Sequence, residues 1–121
     1  TFWQRHHGGI TIHLDIAGRS FGAEADATIY RLVQESLTNA VRHGAAKQVW
    51  IVIAGDEESI SVTVEDDGIG FTDLGGGGMG LKGMRERLAA LDGRLTLGAR
   101  AGGGTRLAAI IPRVRTKAQV A

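Results

Sequence analysis

The sequence predicts a two-layer α/β sandwich, a mixed and mostly antiparallel sheet with its helices on one face. Three observations lead there. Ile10-Thr11-Ile12-His13-Leu14-Asp15-Ile16 alternates apolar and polar residues, the period of a half-buried strand. From about Ala25 to His43 the apolar residues Ile29, Leu32, Val33, Leu37, Ala40 and Val41 recur at helical spacing, and Gly44 supplies a stop. The Val/Ile-rich runs Val49 to Ala54 and Ile60 to Val64 flank Gly55-Asp56-Glu57-Glu58, the pattern of an antiparallel hairpin.

The remaining elements follow in order. Lys82 to Leu91 reads as a second helix, apolar at Leu81, Met84, Leu88 and Leu91, with Gly93 after its end. Arg94 to Gly98 and Thr105 to Ile111 read as strands around the turn Gly102-Gly103-Gly104, and Pro112 ends the second. The main domain is expected over 10–112. Residues 1–9 are expected to be the remnant of an upstream segment, and 113–121 a flexible tail. Gly75 to Gly78 has a high ordering entropy, so Phe71 to Met79 is expected to act as a mobile lid.

Composition narrows the function classes. The chain has 121 residues, 43% of them hydrophobic and 22% charged, which suits one globular domain. A formal net charge of +1 argues against a nucleic-acid binder that relies on bulk electrostatics. No apolar run approaches the ~20 residues of a membrane helix, so no membrane contact by this domain is expected. Thr1 to Gly9 does not read as a signal peptide. With no cysteine there is neither a disulfide framework nor a cysteine zinc site, and a cytoplasmic setting fits.

The polar residues form a set. Arg31, Glu35, Asn39 and Arg42 fall three or four apart and share one helix face. The plain reading is a solvated face. Asn39, however, is a poor mid-helix residue, and its carbonyl oxygen suits Mg²⁺, which takes few protein ligands and keeps water and phosphate for the rest. Glu35, one turn earlier, could orient or deprotonate a water or hydroxyl near a γ-phosphate. Arg42 could contact phosphate oxygens. His43 either caps the helix or touches the ligand.

Asp66-Asp67-Gly68-Ile69-Gly70 follows a strand. It is either a plain Asp-Gly turn or a base-reading site. In the second reading Asp66 accepts a hydrogen bond from the exocyclic amine of adenine, where guanine would offer a clashing carbonyl. Gly68 and Gly70 let the backbone approach base and sugar, and Asp67 should point the other way. Gly78-Met79-Gly80-Leu81 runs into the second helix, whose free amides and dipole suit phosphate. It is not a Walker A loop. Thr105 opens the last strand as part of a hairpin turn, or holds the adenine edge directly or through a water.

In this order the motifs resemble those of the ATP-binding catalytic domain of sensor histidine kinases, within the group that includes DNA gyrase B, Hsp90 and MutL. Tyr30 to His43 is similar to the family's N box, Asp66 to Gly70 to its G1 box and Gly78 to Gly83 to its G2 box. Gly83-Met84-Arg85-Glu86-Arg87, with Gln34-Glu35 before the Asn, looks like the nitrate and sugar-phosphate sensor subfamily. The resemblance implies a Bergerat-type fold with ATP between the helices and under a lid. It implies Asn39 for Mg²⁺, Asp66 for adenine and Gly78 to Gly80 for the phosphates. It further implies transfer of the γ-phosphate to a histidine on a dimerisation domain of the same kinase, and then to a response regulator. His6, His7 and His13 are not credible acceptors, so this chain is expected to lack that domain and its dimer interface. A stand-alone anti-sigma-type serine kinase of the same fold is the second expectation. A gyrase-type clamp is the third and weakest.

Overall fold

The structure is a computed structural model that describes residues 2–7, 9–17, 20–42, 46–69 and 78–113. Among these residues six strands and two helices follow in the order β1 (Phe2–His7), β2 (Ile10–Ile16), α1 (Ala23–Arg42), β3 (Gln48–Gly55), β4 (Ser59–Asp66), α2 (Gly78–Ala89), β5 (Arg94–Ala99) and β6 (Thr105–Pro112). The strands form one sheet in the order β1-β2-β3-β4-β6-β5. Only β2 and β3 pair in parallel, and α1 makes the crossover between them. Every other neighbouring pair is antiparallel, so the predicted mixed, mostly antiparallel sheet is what forms.

The core fills the space between one sheet face and the two helices. Strand alternation supplies Val49, Ile51 and Ile53 from β3, Ile60, Val62 and Val64 from β4, and Leu107, Ala109 and Ile111 from β6. From α1 come Ala25, Ile29, Leu32 and Ala40, and from α2 Met84 and Leu88. The other sheet face carries polar ties. The His13 ring stacks on Trp50 with centroids 5.4 Å apart, and the Arg100 guanidinium lies 4.3 Å from the Trp50 ring centroid on that residue. Arg100 and Arg106 both pair with Glu65, at 3.3 and 3.1 Å.

Two elements depart from the sequence reading. Phe2–His7 is a strand in antiparallel register with β2, although these residues show no alternation. Its pairing comes from the tight hairpin at Gly9, whose φ of 83° only glycine adopts readily. Helix α2 starts at Gly78 rather than Lys82, so Gly78 and Met79, expected within the lid, lie in its first turn. The rest of that expected lid, 71–77, lies outside the described residues. At the other end α2 stops at Ala89, and Asp92 takes the left-handed position with φ 62°. Gly93 has a different task, since an added Cβ there would sit 2.8 Å from the Ile110 carbonyl oxygen. The expected tail, 114–121, also lies outside the described residues. Arg113, expected to open that tail, donates through Nη1 to the Asp56 carbonyl at 2.9 Å and through its amide to the Glu58 carbonyl at 2.9 Å.

Candidate functional site

Two of the residues singled out in the sequence, Asp66 and Thr105, meet at the end of the sheet where β4 finishes and β6 begins. Asp66 is the last residue of β4, and its register partners are Val49 on β3 and Thr105 on β6. By alternation it shares the helix-side face with Val64 and Val62, so it closes the core with a half-buried carboxylate. Its Oδ1 accepts the Gly68 amide at 2.9 Å, which folds the chain into a turn. Burial pushes the Asp66 pKa above the usual carboxylate range, the Gly68 amide opposes that, and the neighbouring Asp67 charge adds to it. A carboxylate kept partly dry yet open on one side can accept a ligand donor with little competition from water.

Thr105 faces Asp66 across the β4–β6 ladder and is also half-buried. Its approach depends on Gly104, which is buried with φ 112° and where an added Cβ would overlap the Asp66 carbonyl oxygen. The β5–β6 turn is thus pressed onto the backbone of the G1 segment, a contact that no side chain other than hydrogen permits. The sequence reading placed Gly104 only in the turn that leads into the last strand. The signal available was three glycines in a row where a two-residue turn needs fewer.

Asp67 points away from Asp66, as expected of the next residue in an extended chain. Its Oδ1 accepts the amides of Lys47 and Gln48, both at 2.8 Å, and its own amide donates to the Gln48 carbonyl at 3.2 Å. Partial burial disfavours its charge, but the Gln48 and Lys47 amides outweigh that and hold its pKa below the usual range. The sequence reading gave Asp67 no task.

Helix α1 carries the candidates Glu35 and Asn39. Ala25, Ile29, Leu32, Ser36 and Ala40 form its buried stripe, and the Ser36 hydroxyl donates to the Leu32 carbonyl at 2.8 Å. Glu35 and Asn39 flank that stripe, one turn apart and half-buried. Among the described residues neither side chain is engaged in a hydrogen bond or ion pair, whereas Arg31 on the same stretch is exposed. The end of α1 is tied in by the Ala46 amide, which donates to the Ala40 carbonyl at 3.3 Å, directly before the two amides that Asp67 holds. Among the described residues there is no group of three or more His, Cys, Asp or Glu side chains that would cage a metal without a ligand's help. The Asn39 carboxamide oxygen suits the smaller share that Mg²⁺ asks of a protein when phosphate and water complete its octahedron.

Gly78, Met79, Gly80 and Leu81 form the first turn of α2, where backbone N–H groups have no partner within the helix. The far end of α2 is fixed elsewhere, with Arg85 Nη1 donating to the Leu95 carbonyl at 3.2 Å and Gly93 against Ile110. Gly68 ends the turn after Asp66. His43 and Gly70 lie outside the described residues, and Arg42 is placed as the last residue of α1. A depression of about 290 Å³ lies at the opposite end of the sheet between Leu14, Ile16, Phe21, Ile29, Val33 and Ile53. It is apolar, and its one carboxylate, Asp26, is already held by Ser20 Oγ at 2.6 Å and the Phe21 amide at 2.9 Å. It offers nothing to a phosphate. Among the described residues no helix is long and apolar enough to cross a membrane.

Comparison with known proteins supplies the family and agrees with the fold. Residues 24–115 match the family described as histidine kinase-, DNA gyrase B-, and HSP90-like ATPase. The sensor histidine kinase YxjM of Bacillus subtilis (strain 168) is 38% identical over 111 residues, covering 89% of this chain and 27% of that protein. The signal transduction histidine-protein kinase/phosphatase UhpB of Salmonella typhimurium (strain LT2) is 36% identical over 107 residues, covering 86% of this chain and 21% of that protein. The chain therefore spans about a quarter of the length of these relatives. Among solved structures, the histidine kinase domain of the Erythrobacter litoralis EL346 blue-light activated histidine kinase superposes with a TM-score of 0.76 at 28% identity, over 93% of this chain and 55% of that one.

Proposed function

The chain belongs to the histidine kinase-, DNA gyrase B-, and HSP90-like ATPase family and is an ATPase domain of the histidine-kinase kind; from that premise we propose that it binds Mg-ATP and presents the γ-phosphate to a histidine on a separate helical dimerisation domain of the same kinase. The observation that carries this reading is the half-buried Asp66 carboxylate beside Thr105 at the core's edge, its pKa raised by burial.

In this reading Asp66 accepts the adenine amine, and Thr105 holds the same edge directly or through a water. Gly68 and Gly70 leave room for base and sugar. The amides of Gly78, Met79, Gly80 and Leu81 receive phosphate oxygens at the helix N-terminus. Arg42 and His43 line the triphosphate. Asn39 would hold Mg²⁺ through its carboxamide oxygen, and the metal when bound would supply charge neutralisation for the phosphates. In the transfer, a bond forms between the γ-phosphorus and an imidazole nitrogen. The bond to the β,γ-bridging oxygen breaks, and that oxygen leaves on ADP. Glu35 orients the imidazole or takes its proton. The protein's share is positioning and charge neutralisation rather than covalent chemistry. The phosphoryl group then passes to an aspartate of a response regulator, and the whole acts in the cytoplasm. The names of the relatives favour this over an anti-sigma-type serine kinase.

Calorimetric titration with ATP and GTP, each with Mg²⁺ and with EDTA, tests the reading. ATP should bind, GTP should bind at least about a hundredfold more weakly, and Asp66→Asn should lose ATP while keeping its circular dichroism. Asn39→Ala should lose the magnesium dependence. Unchanged ATP affinity in Asp66→Asn would overturn the assignment of the base.

A further inference from the structure

Asp67 makes a three-bond clamp that the nucleotide chemistry above does not use. One carboxylate oxygen takes two successive amides, Lys47 and Gln48, at 2.8 Å each, and the Asp67 amide returns a bond to the Gln48 carbonyl at 3.2 Å. Gln48 opens β3, and Lys47 stands just before it. One residue earlier, the Ala46 amide holds the Ala40 carbonyl at 3.3 Å, and Ala40 is the neighbour of Asn39. Ala46 and Ala40 are both buried, at 7% and 2% exposure, so that link cannot slide without opening the core. On the other side, Asp67 is covalently next to Asp66. A short, continuous path of bonds therefore runs from the end of α1 to the end of β4.

We propose that Asp67 is a positioning residue that holds Asn39 and Asp66 in one frame, so that the base and the magnesium-bound phosphates of a single nucleotide are met at the correct separation. This rests on the reading of the site given above. The carboxylate suits the task because a single charged oxygen can accept two parallel N–H donors more strongly than a neutral group can. Without it, Lys47 and Gln48 lose their side-chain acceptor at the start of β3, and the segment that joins α1 to β3 is held beside Asp66 by fewer bonds. A ligand that needs only the base side is then affected less than one that bridges both.

The test compares ATP affinity with Mg²⁺ and with EDTA in wild type, Asp66→Ala, Asp67→Ala, Asp67→Asn and Asp67→Glu. In wild type, Mg²⁺ should strengthen ATP binding. In Asp67→Ala that gain should shrink about tenfold, with a smaller loss in EDTA. Asp67→Asn keeps an oxygen for both amides and should restore the gain to within about threefold. Should Asp67→Ala not fold, Asp67→Glu carries the test, since it keeps the charge but sets the oxygen one methylene further out. It should show the same reduced gain. A general loss of stability would lower both affinities by one factor and leave their ratio alone. An unchanged ratio in Asp67→Ala or, where that variant does not fold, in Asp67→Glu overturns the clamp while the site stands. ATP binding that survives in Asp66→Ala overturns the site reading itself, and the clamp with it.

Discussion

Adjacent aspartates at the end of β4 have opposite electrostatic fates, because strand alternation sends one into the core's edge and the other onto backbone amides. Asp66 has its pKa raised, chiefly by desolvation, and Asp67 has its pKa lowered by the Gln48 and Lys47 amides against a desolvation that opposes them. Linkage gives the two opposite signs. A raised carboxylate means the native state binds its proton more tightly than the unfolded chain does. The stability from that proton is fully present below the ordinary value of 3.8 and is lost as pH rises through the higher native value. At neutral pH the Asp66 charge therefore works against folding. Asp66→Asn removes that charge and keeps an acceptor for the Gly68 amide. Thermal melts of wild type and Asp66→Asn should nearly coincide below about pH 3.5, and the variant should gain relative to wild type as pH rises toward 7. A variant that melts lower than wild type across the whole range would contradict the desolvated placement of Asp66. The Asp66 position was legible in the sequence because an Asp-Gly pair followed a clean strand pattern. The task of Asp67 was not, since it depends on which strand start lies beside it.

At the level of elements, period decides what a sequence reveals. Helix α1 and the β3–β4 hairpin were legible because their apolar residues repeat at 3.6 and 2.0. Strand β1 carries no such repeat and is held by pairing with β2, a tertiary cause. The start of α2 was hidden for another reason. Gly78, Gly80 and Gly83 each weaken a helix by roughly 0.5–1 kcal/mol relative to Ala, so propensity argued for a loop where packing of Met84 and Leu88 secures a helix. Gly83 offers a direct check. A Cβ built there meets nothing within 4 Å. Gly83→Ala should therefore stabilise the domain by about 0.5–1 kcal/mol, read as a rise of roughly 2–5 °C in Tm. No gain, or a loss, would show that the α2 backbone at this position is not helical in solution.

For the molecule as a whole, the arrangement of the core sets what a ligand can do. The helices cover one sheet face, and the buried residues of β3, β4 and β6 run up to Asp66 and Thr105, where apolar packing stops. Three separate pieces of chain meet at that end: the close of α1, the turn after β4 and the turn before β6, joined by the Ala40–Ala46, Asp67–Lys47 and Gly104–Asp66 contacts. Each is far from the others in sequence. A nucleotide bridging them binds only the folded arrangement, so its binding free energy adds to stability as RT ln(1 + [L]/Kd). At a hundredfold excess over Kd that amounts to about 2.7 kcal/mol, or roughly 10 °C in Tm for a domain of this size. Scanning calorimetry with Mg-ATP should show that rise, and EDTA should remove part of it through Asn39. GTP at the same concentration should produce almost none. An equal rise with GTP would mean that whatever stabilises the fold is the triphosphate alone, and that the Asp66 end of the sheet takes no part in choosing the base.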